Sequence, residues 1–116
     1  MMIRTLARQF GTIKQFADLE ILNKYLEVHK YPYVLVYFTA KWNPACKITD
    51  EHVNLISNSY NDFEIFKIDS DVSPKISKYY NVRAEPEFIF CLYGDEVIRQ
   101  IGVNKDKLIE KCELML

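Results

Sequence analysis

The chain has 116 residues, of which 49% are hydrophobic, and a formal net charge of −1, which suits one domain with a single core. No basic stripe is interleaved with aromatic residues, so nucleic acid is not an expected partner, and no apolar run is long enough to predict a membrane span. Its three cysteines are widely separated; this is not the pattern of a secreted disulfide scaffold, and we predict a cytoplasmic protein.

Residues 1–11 are predicted to be an N-terminal extension, followed by one domain at 12–116. The extension carries Arg4 and Arg8, no acidic residue, and apolar residues at helical spacing. Such a start is also typical of a mitochondrial transit segment, which makes a mitochondrial location the alternative. We favour an ordinary extension because the segment contains no serine.

Strand and helix signals alternate along the rest of the chain. A short strand is predicted over 12–16, and Asp18 is a candidate N-cap for a helix that ends near residue 29. The continuous run YVLVYFT at 33–39 is typical of a central strand that is buried on both faces. These elements predict an α/β fold that begins strand, helix, strand.

The pair Asn43–Pro44 is the next helix-start signal, and its helix is predicted to reach about residue 60. The predicted buried stripe of this helix is Ala45, Ile48, His52, Ile56 and Tyr60. The remaining predicted elements are a strand at 63–69, a helix from Ser73–Pro74 to about residue 81, strands 88–93 and 96–101 joined around Gly94–Asp95, and a helix capped by Asn104 that carries Leu108, Cys112 and Met115 on one face.

This order predicts a central mixed five-stranded sheet flanked by four helices. Alternating strands and helices give parallel strands with right-handed crossovers, and the closing hairpin adds antiparallel pairs. In open α/β sheets, functional sites lie beyond the carboxyl ends of the strands. The loop that follows Thr39 is therefore the candidate site.

Two segments give this loop a family resemblance. Residues 34–47, VLVYFTAKWNPACK, resemble the strand and W-C-G-P-C-K motif of the thioredoxin family, and residues 82–90, VRAEPEFIF, resemble its cis-proline strand. Gly94 and Gly102 match glycines of the closing hairpin and of the turn before the last helix. The resemblance covers about residues 12–114. It implies the thioredoxin fold, disulfide exchange with protein substrates, and a role in cell redox homeostasis.

The resemblance also implies a role for each residue of the motif. Asn43 stands where the family has its attacking cysteine, and Cys46 matches the second, resolving cysteine. The other matched positions are Trp42 on the rim of the substrate groove, Pro44 and Ala45 at the glycine and proline of the motif, Lys47 after it, and Pro86 at the cis-proline. Four positions depart from the family pattern: Glu85 before that proline, Tyr37 in place of a buried aspartate, Lys67 left without that aspartate as its partner, and Glu51 in place of a helix-kinking proline.

The missing cysteine decides the chemistry that is expected. Dithiol reduction needs one sulfur to attack the substrate and a second to resolve the mixed disulfide. Asn43 cannot attack, although asparagine is among the best N-cap residues. Cys91 is about 16 Å along its strand from Pro86, beyond the ~7 Å that a disulfide spans, and Cys91 and Cys112 are predicted to fill the core. We therefore predict an impaired dithiol reductase and leave open whether the protein is an enzyme.

Two functions follow from these residues. The first is a peptide- or protein-binding thioredoxin module whose groove lies between Trp42 and Glu85–Pro86, with Glu85 and Glu87 favouring basic or hydroxylated segments. The second is a monothiol thiol–disulfide oxidoreductase that uses Cys46 with an external thiol such as glutathione, although shielding of this thiol in the helix is the favoured interpretation. No cofactor or metal is predicted, because His29 and His52 lack neighbours at ligand spacing and Asp50–Glu51 is interpreted as a solvated helix face.

Overall fold

A computed structural model describes residues 12–116. The predicted extension at 1–11 and the transit-segment alternative lie outside the described residues. The described residues form β1 (Thr12–Gln15), α1 (Leu19–His29), β2 (Tyr33–Thr39), α2 (Pro44–Ser59), β3 (Phe63–Asp69), α3 (Pro74–Tyr79), β4 (Glu87–Leu92), β5 (Asp95–Ile101) and α4 (Lys105–Met115).

Local side-chain chemistry explains where three of the helices begin. Asp18, Asn43 and Asn104 precede α1, α2 and α4, and a side-chain oxygen of each accepts a hydrogen bond from an N–H of the first turn. These bonds satisfy amides that have no partner within the helix. Ser73 precedes α3 without a side-chain cap bond, and its hydroxyl donates to the Ala17 carbonyl at 3.1 Å.

The strands form one sheet in the order β1-β3-β2-β4-β5. The β1–β3 and β3–β2 pairs are parallel, and the β2–β4 and β4–β5 pairs are antiparallel. The predicted mixed five-stranded sheet with four helices is confirmed, including a central strand over 33–39 with six of its seven residues buried. At the β4–β5 turn, Tyr93 and Gly94 both have positive φ, 50° and 91°, as in a type I′ hairpin.

Successive side chains of β2 point to opposite faces of the sheet and contribute to a hydrophobic core on each face. Leu35 and Tyr37 pack with residues of α2 and α4, whereas Val34, Val36 and Phe38 face the side covered by α1 and α3. Two of the cysteines lie in these cores as predicted: Cys112 is in the first and Cys91 in the second. Among the described residues, no helix combines the length and hydropathy needed to cross a bilayer.

The predicted buried stripe of α2 is correct at Ile56 and at Tyr60, which packs against the core, and wrong in the first turns of the helix. The buried residues of this helix are Cys46, Thr49, Val53, Ile56 and Ser57, whereas Ile48 is 50% exposed. At this turn the prediction chose the apolar Ile48 over the polar Thr49. Thr49 is buried instead because its hydroxyl lies within hydrogen-bonding distance of the Ala45 and Cys46 carbonyls and of the Tyr37 hydroxyl, which removes the cost of burying a polar group.

Candidate functional site

Three chain segments meet at the carboxyl end of β2. The loop between β2 and α2 is closed by hydrogen bonds from the Asn43 N–H to the Ala40 carbonyl (3.1 Å) and from the Cys46 N–H to the Asn43 carbonyl (3.0 Å). The turn after β3 joins it through the Ser70 N–H, which donates to the Thr39 carbonyl at 2.9 Å. The third segment lies just before β4, and a side chain from the loop between β2 and α2 reaches it.

That side chain is the carboxamide of Asn43. Its Oδ1 accepts a hydrogen bond from the Ala45 N–H at 2.9 Å, which caps α2 as predicted. Its Nδ2 donates to the carbonyl oxygen of Glu85 at 2.8 Å. The second bond joins the start of α2 to a segment 42 residues away, and no local sequence pattern indicates it.

The Glu85–Pro86 peptide bond is cis. Pro86 is buried and Glu85 is partly exposed. The Pro86 carbonyl accepts a hydrogen bond from the Gly102 N–H at 2.9 Å, so the turn after β5 also borders this segment. Asn43, Glu85 and Pro86 are therefore neighbours, whereas Trp42 projects from the loop with 68% of its surface exposed.

Cys46 lies in the first turn of α2 and is only 2% exposed. The backbone N–H of Ala40 points to its sulfur, with an N···Sγ distance of 3.4 Å. The thiol forms part of the wall of a cavity of about 460 Å³ that Lys41, Lys67 and Asp69 also line. The other motif residues are more open: Pro44 and Lys47 are exposed, and Ala45 is partly exposed.

Tyr37 lies beneath α2 and is fully buried. Its hydroxyl donates to Oδ1 of Asp50 at 2.8 Å and lies 2.7 Å from the Thr49 hydroxyl. Burial, together with the nearby Asp50 carboxylate, raises the pKa of Tyr37 far above its ordinary value, because both disfavour a phenolate. The hydroxyl therefore stays a neutral hydrogen-bond donor.

Lys67 lacks the family's buried aspartate, since position 37 is Tyr, but it has a different carboxylate partner in Asp50. Its Nζ lies 3.4 Å from Oδ1 of Asp50, and the β2–β3 register sets Lys67 beside Tyr37. The interpretation of Asp50–Glu51 as a solvated helix face holds in part: the Asp50 side chain is 41% exposed and Glu51 is exposed, but Asp50 also binds the Tyr37 hydroxyl and pairs with Lys67. The sequence did carry a sign that Asp50 lies near the site, because Asp50 is four residues after Cys46 and therefore shares its helix face.

Glu87 does not contribute to the groove, so that part of the prediction is wrong. Its side chain is fully buried, and Oε2 pairs with Nη1 of Arg99 at 2.7 Å. Its Oε1 accepts a hydrogen bond from the Arg83 N–H at 3.0 Å. A buried carboxylate needs such partners, and Arg99 reaches it from the neighbouring strand β5. Glu85 is thus the one of these two acidic residues that keeps some exposure. Within residues 12–116 no cluster of His, Cys, Asp and Glu has the arrangement of a metal site.

Comparisons with known proteins give a consistent result. The family model described as Thioredoxin matches residues 17–113. Thioredoxin H2 of Arabidopsis thaliana is 33% identical over 78 residues, which are 67% of this chain and 59% of that protein. A thioredoxin H-type of Fagopyrum esculentum is 31% identical over 78 residues, or 67% of each chain. The chain thus spans about three fifths of the length of the Arabidopsis relative.

Solved structures extend the similarity to almost the whole described fold. A thioredoxin from Nicotiana alata superposes with a TM-score of 0.84 at 27% identity, over 90% of this chain and 93% of that one. A thioredoxin from Fasciola hepatica gives a TM-score of 0.83 at 28% identity, over 89% and 99% of the two chains.

Proposed function

The chain belongs to the thioredoxin family, and we propose that it serves the family's redox function as a peptide- or protein-binding module rather than as a dithiol reductase. The observation that carries the proposal is the carboxamide of Asn43. It occupies the position of the attacking sulfur and makes two hydrogen bonds there. Without that sulfur no mixed disulfide can form at this position, so the first step of dithiol reduction is missing.

The surface around Asn43 supports the binding role. Trp42 is 68% exposed, and Val72 and Val103 are further exposed apolar residues on the turns after β3 and β5. The turn after β3 is hydrogen-bonded to the Thr39 carbonyl, and the turn after β5 is hydrogen-bonded to the Pro86 carbonyl. The exposed apolar side chains therefore lie at the same end of the sheet. An extended segment of a client protein can pair there with the backbone at Glu85. The Glu85 carboxylate favours a basic or hydroxylated segment.

One observation favours the alternative function, a monothiol oxidoreductase. Cys46 lines a cavity whose wall includes Lys41, Lys47 and Lys67 as well as Asp50 and Asp69, and this small excess of cations suits the carboxylates of glutathione. In this reaction the Cys46 thiolate attacks the disulfide of oxidised glutathione. The Cys46–glutathione bond forms as the original S–S bond breaks, and one glutathione thiolate leaves. The 2% exposure of Cys46 makes this the second choice, because attack needs access to the sulfur.

Insulin reduction by dithiothreitol tests the absence of reductase activity. Wild type and Cys46→Ser are expected to precipitate insulin no faster than the protein-free control, because neither has an attacking sulfur. A wild-type rate above that control would contradict the proposal. Incubation with oxidised glutathione followed by mass spectrometry tests the alternative, since an unmodified Cys46 in the folded protein excludes it.

A phage-displayed library of linear peptides tests the binding role. Peptides selected on wild type should bind Cys46→Ser equally well and should lose affinity for Trp42→Ala. Ile48→Ala is the matched control, because Ile48 is also an exposed apolar residue but lies on α2 outside the groove. Failure to select any peptide, or equal losses in the two alanine variants, would contradict the proposal. The cytoplasmic location and its mitochondrial alternative stay predictions.

A further inference from the structure

A second cavity lies at the other end of the sheet from Asn43. It has a volume of about 690 Å³, and its described wall comes from α1, the segment between α1 and β2, the end of α3 and the β4–β5 turn. Four tyrosines line it: Tyr31, Tyr79, Tyr80 and Tyr93. β2 begins beside this cavity and ends at the candidate site, and its seven residues span about 20 Å.

Two of the tyrosines are held in place by other rings. Tyr80 packs against Phe38 of the core, with 5.6 Å between the ring centroids. Tyr31 stacks on His29 at 5.5 Å, with an angle of 7° between the two rings, and its hydroxyl lies 3.1 Å from the Tyr25 hydroxyl. Because these contacts exist before a ligand arrives, little side-chain freedom remains to be lost on binding.

The other two tyrosines are open to solvent. Tyr79 is 57% exposed and Tyr93 is 70% exposed. Tyr79 meets Tyr80 edge to face, with 5.1 Å between the ring centroids. The Tyr93 N–H donates to the Pro32 carbonyl at 2.9 Å, which holds the β4–β5 turn beside the segment that carries Tyr31. The cavity therefore combines accessible aromatic rings with a positioned backbone.

The lining discriminates between the ways in which a protein binds a peptide. Addition of a strand needs a free sheet edge, and none of the described lining residues belongs to a strand. An amphipathic helix needs a hydrophobic groove, and Leu26 is the one aliphatic side chain among the described lining residues. Polyproline II segments instead dock in grooves lined by aromatic rings, which the four tyrosines supply.

The polar groups of the cavity fit the same kind of ligand. A polyproline II segment makes no internal hydrogen bonds, so its carbonyl oxygens are free to accept, and proline has no N–H that would need an acceptor. Tyrosine hydroxyls can donate to those carbonyls while their rings pack on the pyrrolidine rings. The described lining carries one cation, Lys30, and one anion, Glu27, so it does not favour a charged segment.

We propose that this cavity docks a proline-rich segment of a partner protein, bound in the polyproline II conformation against Tyr79 and Tyr93 at the rim and Tyr31 and Tyr80 beneath them. The site is separated from the candidate site by the length of β2, about 20 Å, so both surfaces can be occupied together. The inference does not rest on the proposed function, because the two surfaces share no residue.

Fluorescence polarisation with fluorescein-labelled decaproline tests the proposal, since this peptide forms a polyproline II helix about 31 Å long. A labelled glycine–serine peptide of equal length is the ligand control. Tyr79→Ala and Tyr93→Ala each remove a ring, whereas Tyr79→Phe removes only a hydroxyl. Leu114→Ala is the matched protein control, because Leu114 is 71% exposed and lies on α4, outside the cavity. Trp42→Ala shows whether the peptide binds at the candidate site instead.

Wild type should bind decaproline and not the glycine–serine peptide. We expect each tyrosine-to-alanine change to weaken decaproline binding about tenfold, Tyr79→Phe to weaken it about two- to tenfold, and Leu114→Ala to leave it unchanged. Absence of decaproline binding by wild type at protein concentrations up to ~1 mM, or equal binding of the two peptides, would overturn the proposal. Loss of binding in Trp42→Ala with unchanged binding in Tyr79→Ala and Tyr93→Ala would also overturn it.

Chemical-shift mapping locates the peptide on the wild-type protein without any substitution. Unlabelled decaproline added to the ¹⁵N-labelled chain should shift the amide signals of Leu26, Tyr79 and Tyr93 and leave those of Asn43 and Cys46 in place. The reverse pattern would place the peptide at the candidate site and overturn the proposal.

Discussion

Asn43→Cys restores the missing sulfur at the start of α2 and is expected to create insulin reductase activity. The Ala45 N–H now bonds Oδ1 of Asn43, and in the variant this N–H and the positive end of the helix dipole face the new thiol. Both favour the thiolate, which is the attacking species. Cys46 follows three residues later and can resolve the mixed disulfide.

The energetic consequences can be worked from the bonds that Asn43 makes. Loss of the N-cap costs about 1 kcal/mol, and loss of the bond to Glu85 costs about 1 kcal/mol more. The reduced variant should therefore unfold with a free energy about 2 kcal/mol below that of wild type. In the oxidised variant, the disulfide between residues 43 and 46 closes a loop of roughly four residues, and by the chain-entropy relation this raises the free energy of unfolding by ~1.9 kcal/mol.

Two measurements check this reasoning. Urea unfolding should place the oxidised variant near wild type and the reduced variant near Asn43→Ile, which loses the same bonds without gaining a sulfur. The insulin assay should show activity that disappears in the double variant Asn43→Cys/Cys46→Ser, because turnover needs the resolving thiol.

A folded variant that forms the disulfide but reduces no insulin would refute the view that the absent sulfur alone limits the reaction. Tyr37 in place of the family's aspartate, or Glu85 before Pro86, would then be a second block. Activity that survives in the double variant would refute the pairing with Cys46.

Three further predictions concern stability and pH. Arg99→Met leaves the buried Glu87 carboxylate without its ion-pair partner and should lower the free energy of urea unfolding by about 3–5 kcal/mol. Adding Glu87→Gln should recover part of this loss. A loss below about 1 kcal/mol would contradict the importance of burial. Tyr93→Asn should raise the free energy of unfolding by about 0.5–1 kcal/mol, because Tyr93 has a φ of 50°; the control Tyr79→Asn, also at an exposed tyrosine, should not stabilise. Burial raises the pKa of the Cys112 thiol to about 12. The contribution of the buried neutral thiol to the free energy of unfolding is therefore complete below pH ~9 and is lost as the pH rises from there toward 12. Between pH ~9 and ~10, wild type should lose up to ~1.4 kcal/mol more than Cys112→Ala, and parallel pH profiles would contradict this.

Local signals predicted most of the elements. The run at 33–39 has the bounds of β2, and Asn43–Pro44 marks the start of α2, since both depend on residues adjacent in the chain. The first turns of α2 were placed wrongly because Ile48, as an apolar residue, was preferred to Thr49 for the buried face. The burial of Thr49 depends on carbonyl acceptors and on Tyr37 from another element.

The sequence by itself determined the order of strands and helices, the capped helix start at Asn43 and the loss of the attacking cysteine, because each is a property of neighbouring residues. Only the tertiary structure decided which distant groups pair: Asn43 with Glu85, Asp50 with Lys67, and Glu87 with Arg99. Each of these pairs joins two different segments of the chain. Its partners are set by strand register and helix packing, which bring together residues that the linear pattern leaves unrelated.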